Sequence, residues 1–210
     1  MTQLLLLVGQ CVQLQHLDIS AYYSNANEAT PVTFGALLNL AAASQLTRLE
    51  LTNCWPDNLA DGAWPSSMPM LKRLELLGSP SPPPAQMVNY SNLQHIQYDQ
   101  RGYDFERYAI PDWLSQITQL KSLDLSGGAA VNFPICLLEL SQLISLRLSY
   151  CSLLPAVITS FATWPNLIDL DLHCCGGTAS ADVVSIDTHL SLIELKEALG
   201  PRSWILTSNI

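Results

Sequence analysis

Apolar residues recur along the chain in a six-residue motif: apolar, two variable residues, apolar, one variable residue, apolar. The motif starts at Leu14, Leu46, Leu71, Leu93, Leu120, Leu143 and Leu167, and 20 of its 21 apolar positions are Leu or Ile. The starts lie 32, 25, 22, 27, 23 and 24 residues apart, so one structural unit is repeated along the chain. Apolar and variable residues alternate in the second half of each motif, which predicts a short strand with one buried face.

This repeat resembles the leucine-rich repeat (LRR) family, whose members carry LxxLxL at such a period. The resemblance covers nearly the whole chain. It implies an α/β fold, a curved right-handed solenoid with a parallel concave β-sheet and helical or irregular convex returns. It predicts one repeat domain over residues 1–210, with an eighth repeat near 190 formed by Leu190, Ile193 and Leu195. The same stretch also fits an amphipathic helix that ends at Gly200 before a proline.

The segments between the motifs are of two types. Residues 37–46, within FGALLNLAAASQL, predict a convex helix like that of the longer, ribonuclease-inhibitor-like repeats. The segments at Pro111 and Pro134 resemble the shorter plant-type repeat, in which a proline starts a brief helical return. The resemblance also assigns three cysteines to the Asn/Cys ladder that follows each strand, where a buried thiol needs no disulfide. These cysteines are Cys54, Cys151 and Cys175.

Charge and hydropathy limit the classes of partner. The chain contains nine Lys and Arg residues and 18 Asp and Glu residues, which gives a net charge of −9. Generic nucleic-acid binding needs a basic surface, so we expect no nucleic-acid partner. The apolar run Leu4 to Val8 is far too short for the roughly 20 residues of a membrane-spanning helix. The sequence therefore predicts a protein partner and no membrane span.

The variable motif positions predict the binding surface. Third- and fifth-position side chains share the concave face because residues two apart in a strand point the same way. The fifth positions are mostly acidic, and basic third-position residues are expected beside them, as Arg48 beside Glu50. Later repeats add Ile144, Ile168 and Tyr150, a more apolar patch of the kind that interfaces use. The predicted protein-binding residues are Asp18, Arg48, Glu50, Arg73, Glu75, Gln97, Asp124, Arg147, Tyr150 and Asp171.

Two interpretations of these charge rows stay open. In the first, the charges neutralise one another and keep the face soluble, at about 0 to 1 kcal/mol for each exposed pair. In the second, the rows form a recognition strip, and charge reversal at Glu50, Glu75 and Asp124 weakens partner binding.

Catalytic and metal-binding motifs are not found in the sequence. It has no GxSxG, P-loop, HExxH or paired CxxC. The most suggestive cluster, Asp171 with His173, Cys174 and Cys175, offers too few usable ligands for a structural zinc site. We therefore predict a protein that is not an enzyme and has no cofactor or metal.

The function predicted from these observations is a non-catalytic protein–protein interaction module. The alternatives are the substrate-recognition part of an F-box-type ubiquitin ligase receptor, a structural cytoskeletal or axonemal component, or a fragment of a plant-type receptor. Extracellular family members usually carry terminal cysteine clusters, and none is visible here. The chain has one glycosylation sequon, Asn89-Tyr90-Ser91. We expect an intracellular, cytoplasmic protein, or in the cytoskeletal alternative an axonemal one.

Overall fold

The computed structural model describes ten stretches of the chain. These are residues 11–20, 43–53, 64–78, 84–99, 110–126, 133–149, 153–173, 194–195, 197 and 204–205. The chain divides into two compact units, Met1–Gly102 and Tyr103–Ile210. Whether residues 1–210 form the single repeat domain expected from the sequence stays a prediction.

The first unit contains a parallel sheet whose strands pair in chain order. Its strands are β1 (His16–Ser20), β2 (Arg48–Thr52), β3 (Arg73–Leu77) and β4 (His95–Asp99). Equivalent motif positions lie opposite each other, so that Leu49 pairs with Leu17 on one side and with Leu74 on the other. The strands coincide with the second halves of the motifs, as the alternating pattern predicts.

The second unit repeats this arrangement. Its strands are β5 (Ser122–Leu125), β6 (Ser145–Ser149), β7 (Asp169–His173) and β8 (Trp204–Ile205). They also pair in parallel and in chain order, with Leu146 between Leu123 and Leu170. The short strand β8 pairs with β7 through Leu170 and Asp171.

The apolar motif positions form the core. Nineteen of the 21 are buried, and both exceptions, Leu14 and Leu17, belong to the first motif. Burying a leucine side chain stabilises the fold by about 1.5–3 kcal/mol, so these buried motif positions are the main source of stability. Because one face of each strand is committed to the core, the other face presents its side chains outward. We call this outward face of each sheet the open face.

Four of the returns that the structure describes contain short helices that start at a proline or directly after one. Three 3-10 helices, Ala85–Asn89, Asp112–Gln116 and Ile135–Glu139, follow Pro84, Pro111 and Pro134, whose backbones are extended. A further return combines helix α1 (Pro155–Ser160) with a 3-10 turn, Phe161–Thr163. Proline favours these starts because its fixed φ suits the entry to a helix and its missing N–H is not needed there. The brief helical returns predicted to start at Pro111 and Pro134 are confirmed.

Each of the turns after β2 and β3 is hydrogen-bonded to the end of the following strand. Asn53 and Gly78 both have positive φ, 52° and 73°. The Asn53 N–H donates to the Leu77 carbonyl at 2.8 Å, and the Gly78 N–H donates to the Asp99 carbonyl at 2.7 Å. The positive φ of Gly78 favours glycine, and a Cβ at this position would overlap Asn53 Oδ1, so any other residue would also require the Asn53 side chain to move.

Two sequence predictions are wrong in part. The eighth strand is β8 at Trp204–Ile205, and Glu194 and Leu195 of the expected strand are helical instead. Leu195 is buried while Glu194 and Glu197 are exposed, a pattern that suits the amphipathic helix considered above. The helix expected over 37–46 does not include residues 43–46, which form a turn.

Some predictions fall outside the described residues: the remainder of the 37–46 helix, the ladder cysteines Cys54, Cys151 and Cys175, and Tyr150. Among the helices that the structure does describe, none combines the length and the apolar composition needed to cross a bilayer.

Candidate functional site

The parallel register lines up the third and fifth motif positions in rows across the open face of each unit. The first unit carries one row of His16, Arg48, Arg73 and His95, and a second row of Asp18, Glu50, Glu75 and Gln97. The second unit carries Ser122, Ser145 and Asp169 in one row, and Asp124, Arg147 and Asp171 in the other. All the predicted binding residues that the structure describes therefore lie on an open face.

Ion pairs join the two rows of the first unit. Arg48 Nη2 lies 3.0 Å from Glu50 Oε2 on its own strand and 2.9 Å from Glu75 Oε1 on the next strand. Arg73 Nε donates to the same Glu75 oxygen. The pairs expected within each strand are thus present, and Arg48 adds a bridge between strands.

Glu75 is the centre of this network. Its side chain is only 7% exposed, whereas those of Arg48 and Arg73 are 43% and 44% exposed. A carboxylate so little exposed to water needs compensating partners, and two guanidinium groups supply them. The repulsion expected between Glu50 and its register neighbour Glu75 is offset in the same way.

His95 borders the network on β4, opposite Arg73 in the register. Partial burial, and then the positive charge of Arg73, lower the pKa of His95 below its usual value of 6.5. Both causes disfavour the imidazolium form, so His95 adds no positive charge to this face at neutral pH.

A shallow pocket lies at the β1 end of the first unit. It has a volume of about 300 Å³ and is lined by His16, Leu17, Asp18, Arg48 and Glu50. The Asp18 carboxylate accepts a hydrogen bond from Ser20 Oγ at 3.2 Å. Acidic and basic groups thus line the same pocket, which suits a polar side chain of a partner better than an apolar one.

The second unit uses its charges differently. Arg147 Nη2 lies 3.2 Å from Asp169 Oδ2, which also accepts a hydrogen bond from Ser145 Oγ at 2.9 Å. Asp124 Oδ1 accepts from the Ser126 N–H at 2.9 Å. Asp171 Oδ1 is buried and has no hydrogen-bond partner among the described residues. The register places Arg147 between Asp124 and Asp171, yet its ion pair is made with Asp169 instead.

Two exposed isoleucines lie beside these charges. Ile144 and Ile168, at the second motif position of adjacent repeats, are 41% and 58% exposed. They are direct neighbours, since the Ile168 N–H donates to the Ile144 carbonyl at 2.8 Å. The Ile144 N–H bonds in turn to the carbonyl of Lys121, the equivalent residue of the preceding repeat. The apolar patch predicted for the later repeats is present at these two residues.

The described residues offer ionic and hydrogen-bonding groups rather than a reactive centre. Within these ranges, no three His, Cys, Asp or Glu side chains lie close enough together to hold a metal ion. Cys136 lies on a return helix, away from the open face, and burial raises the pKa of its thiol. A raised pKa lowers the thiolate fraction and with it the reactivity of the sulfur.

Sequence reasoning missed two features of the open faces. It did not find the Arg48–Glu75 bridge, and it left Asp169 out of the predicted binding residues. The sequence does contain a signal for both, because each links a third-position residue to the fifth-position residue of an adjacent repeat. Such pairs can be found only when the repeats are aligned in register, and the length of the arginine side chain makes them reachable.

Comparison with known proteins gives a structural answer only. No protein-family model and no curated protein matches the chain in sequence. An LRR protein of Leptospira interrogans is 17% identical, with a TM-score of 0.56 over 90% of this chain and 49% of that protein. The plant peptide hormone receptor RGFR1, in complex with RGF2, is 21% identical, with a TM-score of 0.51 over 80% of this chain and 26% of the receptor.

An internalin, inlF, of Listeria monocytogenes is 14% identical, with a TM-score of 0.47 over 82% of this chain and 51% of the internalin. The chain spans about half, or less, of each of these three proteins. The Leptospira protein and the plant receptor confirm the fold class that the repeat predicts.

Proposed function

We propose that this chain, which has the leucine-rich repeat fold, is a non-catalytic module that binds a protein partner on its open face. One observation carries the proposal: the strands hold rows of outward charged and polar side chains above a layer of buried leucine, and exposed isoleucines directly precede two of these strands. Side chains that project from paired strands are held in fixed positions, which suits recognition of another surface.

The fold comparison supports the same class of function. RGFR1 is a plant peptide hormone receptor, and its structure was solved in complex with RGF2. Its identity to this chain is low, so the comparison supports peptide or protein binding as a class and names no ligand for this chain.

The proposal is tested by affinity capture and mass spectrometry with variants of the exposed acids. Asp18, Asp124 and Asp171 lie at equivalent motif positions and are not part of the Glu75 network. The test variant is Asp18→Lys/Asp124→Lys/Asp171→Lys. The matched control is Glu139→Lys, because Glu139 is an exposed carboxylate on a return helix. Circular dichroism establishes first that each variant folds.

We expect proteins that are captured by the wild type and by Glu139→Lys, and lost from the triple variant. Proteins captured equally by all three chains would place binding elsewhere on the molecule. If the wild type captures nothing above an unrelated bait, the protein-binding role is wrong.

We propose further that the chain acts inside the cell. A peptide-receptor ectodomain is the second candidate, and the likeness to RGFR1 favours it. The sequon discriminates between the two, because Asn89 and Ser91 are both exposed and accessible to glycosylation. Protein purified from its native cells should show no loss of mass on treatment with a glycan-removing amidase. A glycan at Asn89 would overturn the intracellular proposal. The F-box and cytoskeletal alternatives stay predictions, and the identity of the captured proteins would decide between them.

A further inference from the structure

Building on the proposed function, we infer that recognition is concentrated on the open face of the second unit together with the adjoining edge at which β6 and β7 begin. We infer also that its partner is a protein segment that combines a lysine or arginine with a large apolar side chain. Four residues carry this inference: Asp124 and Asp171 for the cation, and Ile144 and Ile168 for the apolar group. We call them the second-unit patch.

The first unit is a poor candidate for the same role because the charges of its open face, apart from Asp18, are already paired with one another. Arg48 contacts both Glu50 and Glu75, and Arg73 contacts Glu75. A partner that engaged these side chains would have to replace bonds that the unit already makes, so little binding free energy would be gained. The second motif positions of this unit, Gln15, Thr47, Lys72 and Gln94, are polar and offer no apolar anchor.

The acids of the second-unit patch have unused capacity. The two rows of this face carry three aspartates against one arginine, and that arginine is paired with Asp169. Asp171 Oδ1 is buried yet accepts no hydrogen bond from any residue that the structure describes. Asp124 accepts one from a backbone N–H, and a carboxylate can accept several more. Asp124 and Asp171 are half-buried residues, so cationic donors from a partner would form strong, charge-assisted hydrogen bonds with the parts of their carboxylates that remain accessible.

The isoleucines supply the apolar half of the patch. Both are among the few large apolar residues that are exposed in the described part of the chain, and they lie in adjacent repeats. Exposed apolar side chains that lie next to each other, rimmed by charge, are typical of interfaces, whereas single scattered ones are not. Covering both with one partner side chain removes apolar surface from water at the point where the acids fix orientation.

Charge complementarity selects the occupant. An acidic segment would be repelled by Asp124, Asp169 and Asp171, and the net charge of −9 adds to that repulsion. A cationic but wholly polar segment would leave Ile144 and Ile168 in water. The face therefore fits a segment that carries both a cation and an apolar group.

The test uses random linear peptides displayed on phage and selected on the immobilised wild-type chain. Selected peptides are then measured by fluorescence polarisation against two patch variants, Asp124→Asn/Asp171→Asn and Ile144→Ser/Ile168→Ser. Each patch variant has a matched control. Glu139→Gln neutralises an exposed carboxylate on a return helix, and Ile135→Ser changes an isoleucine that is 64% exposed on the same helix.

We expect the selected peptides to be enriched in Lys or Arg together with Leu, Ile, Phe or Trp. Their affinity should fall about tenfold or more on each patch variant and change less than about twofold on each control. The charge-dependent part should weaken with added salt.

Three outcomes would overturn the inference. Peptides that lose affinity on Glu139→Gln or Ile135→Ser, but not on the patch variants, would place peptide binding on a return helix. That result leaves the protein-binding role standing but moves its site off the open face. Peptides without cationic enrichment would show that the stated partner chemistry is wrong. If the wild-type chain enriches no peptide at all, and its affinity capture is also empty, the proposed function fails together with the inference.

Discussion

The open faces of the two units place charged side chains at the same motif positions and use them in opposite ways. In the first unit, Arg48 and Arg73 close around Glu75, and this carboxylate is 7% exposed. In the second unit, Arg147 pairs with Asp169, which is 31% exposed, while Asp171 keeps an oxygen without a partner among the described residues. Charges that stabilise a repeat array in one place are thus left available for a partner in another.

The difference arises from one exchange in the rows. In the first unit arginine occupies the third motif position, so it reaches the acids of its own strand and of the next. In the second unit arginine occupies the fifth position on β6, and serine takes the third. Arg147 is the single arginine of this face, and it pairs with Asp169 on the next strand. Its register neighbours, Asp124 and Asp171, therefore form no ion pair with it. Whether arginine occupies the third or the fifth motif position therefore decides whether the acids of a face are paired within that face.

The largest expected effect is on the first unit. Arg48→Met/Arg73→Met should lower the free energy of unfolding by about 2–3 kcal/mol, because it leaves the nearly buried Glu75 carboxylate without its cations. Arg147→Met is the control, since Asp169 is more exposed and its pair should contribute less than about 1 kcal/mol. Urea denaturation measures both. Equal losses for the two variants would contradict the distinction between the faces.

A smaller effect is expected at the turn that follows β3 in the first unit. Gly78→Ala should cost about 2 kcal/mol, because alanine is strained at positive φ and its Cβ overlaps Asn53 Oδ1. Asn53→Gly in the same chain removes the overlap and should restore part of the loss. Thermal unfolding followed by circular dichroism is a sufficient readout. An unchanged melting temperature for Gly78→Ala would show that this turn does not hold the register.

Neutralising single acids should separate the two faces more finely. Glu75→Gln should lose about 1 kcal/mol or more, because it weakens two charge-assisted bonds. Asp171→Asn should stay within about 0.5 kcal/mol of the wild type, because a carboxylate placed for a partner contributes little to the free chain. The comparison is made by urea denaturation at neutral pH. A larger loss for Asp171→Asn than for Glu75→Gln would show that Asp171 is a structural residue.

The smallest effect is the titration of His95. Its folded pKa lies below 6.5, through burial and then the charge of Arg73, so the folded chain binds fewer protons here than the unfolded chain. The stability from this group is therefore complete above about pH 6.5 and declines as the pH falls below that value. NMR titration of the imidazole should give a midpoint below that of a histidine in an unfolded peptide, and Arg73→Gln should raise it. A midpoint that Arg73→Gln leaves unchanged would contradict the assigned contribution of Arg73.

Much of the fold can be read from the sequence because the six-residue motif fixes both strand position and register. The opposition of Glu50 and Glu75 follows directly from aligning the motifs. The eighth strand was misplaced because Leu190, Ile193 and Leu195 match the motif spacing. The structure instead buries Leu195 and exposes Glu194 and Glu197, which is the burial pattern of an amphipathic helix. Three apolar positions at the right distance cannot by themselves separate a strand from one helix turn, whereas Gly200 before a proline was the signal that favoured the helix.

The candidate site was less accessible to sequence reasoning. Its rows were predicted, but which acids are satisfied depends on where long arginine side chains reach. Arg48 and Arg147 both bond to a residue of the following strand, at different motif positions. Glu75, expected on the binding face, is instead the most buried member of an ion-pair network. Residue type and spacing alone cannot show whether such an acid binds a partner or stabilises the fold.

One measurement tests the central claim most directly. The chain is labelled at isoleucine methyl groups and arginine Nε, and NMR spectra are recorded while a selected cationic–apolar peptide is added. The account predicts shifts at the methyls of Ile144 and Ile168 and at Arg147 Nε, with Ile135, Arg48 and Arg73 unchanged. Shifts at Arg48 and Arg73 with silent Ile144 and Ile168 would contradict it and place recognition on the first unit.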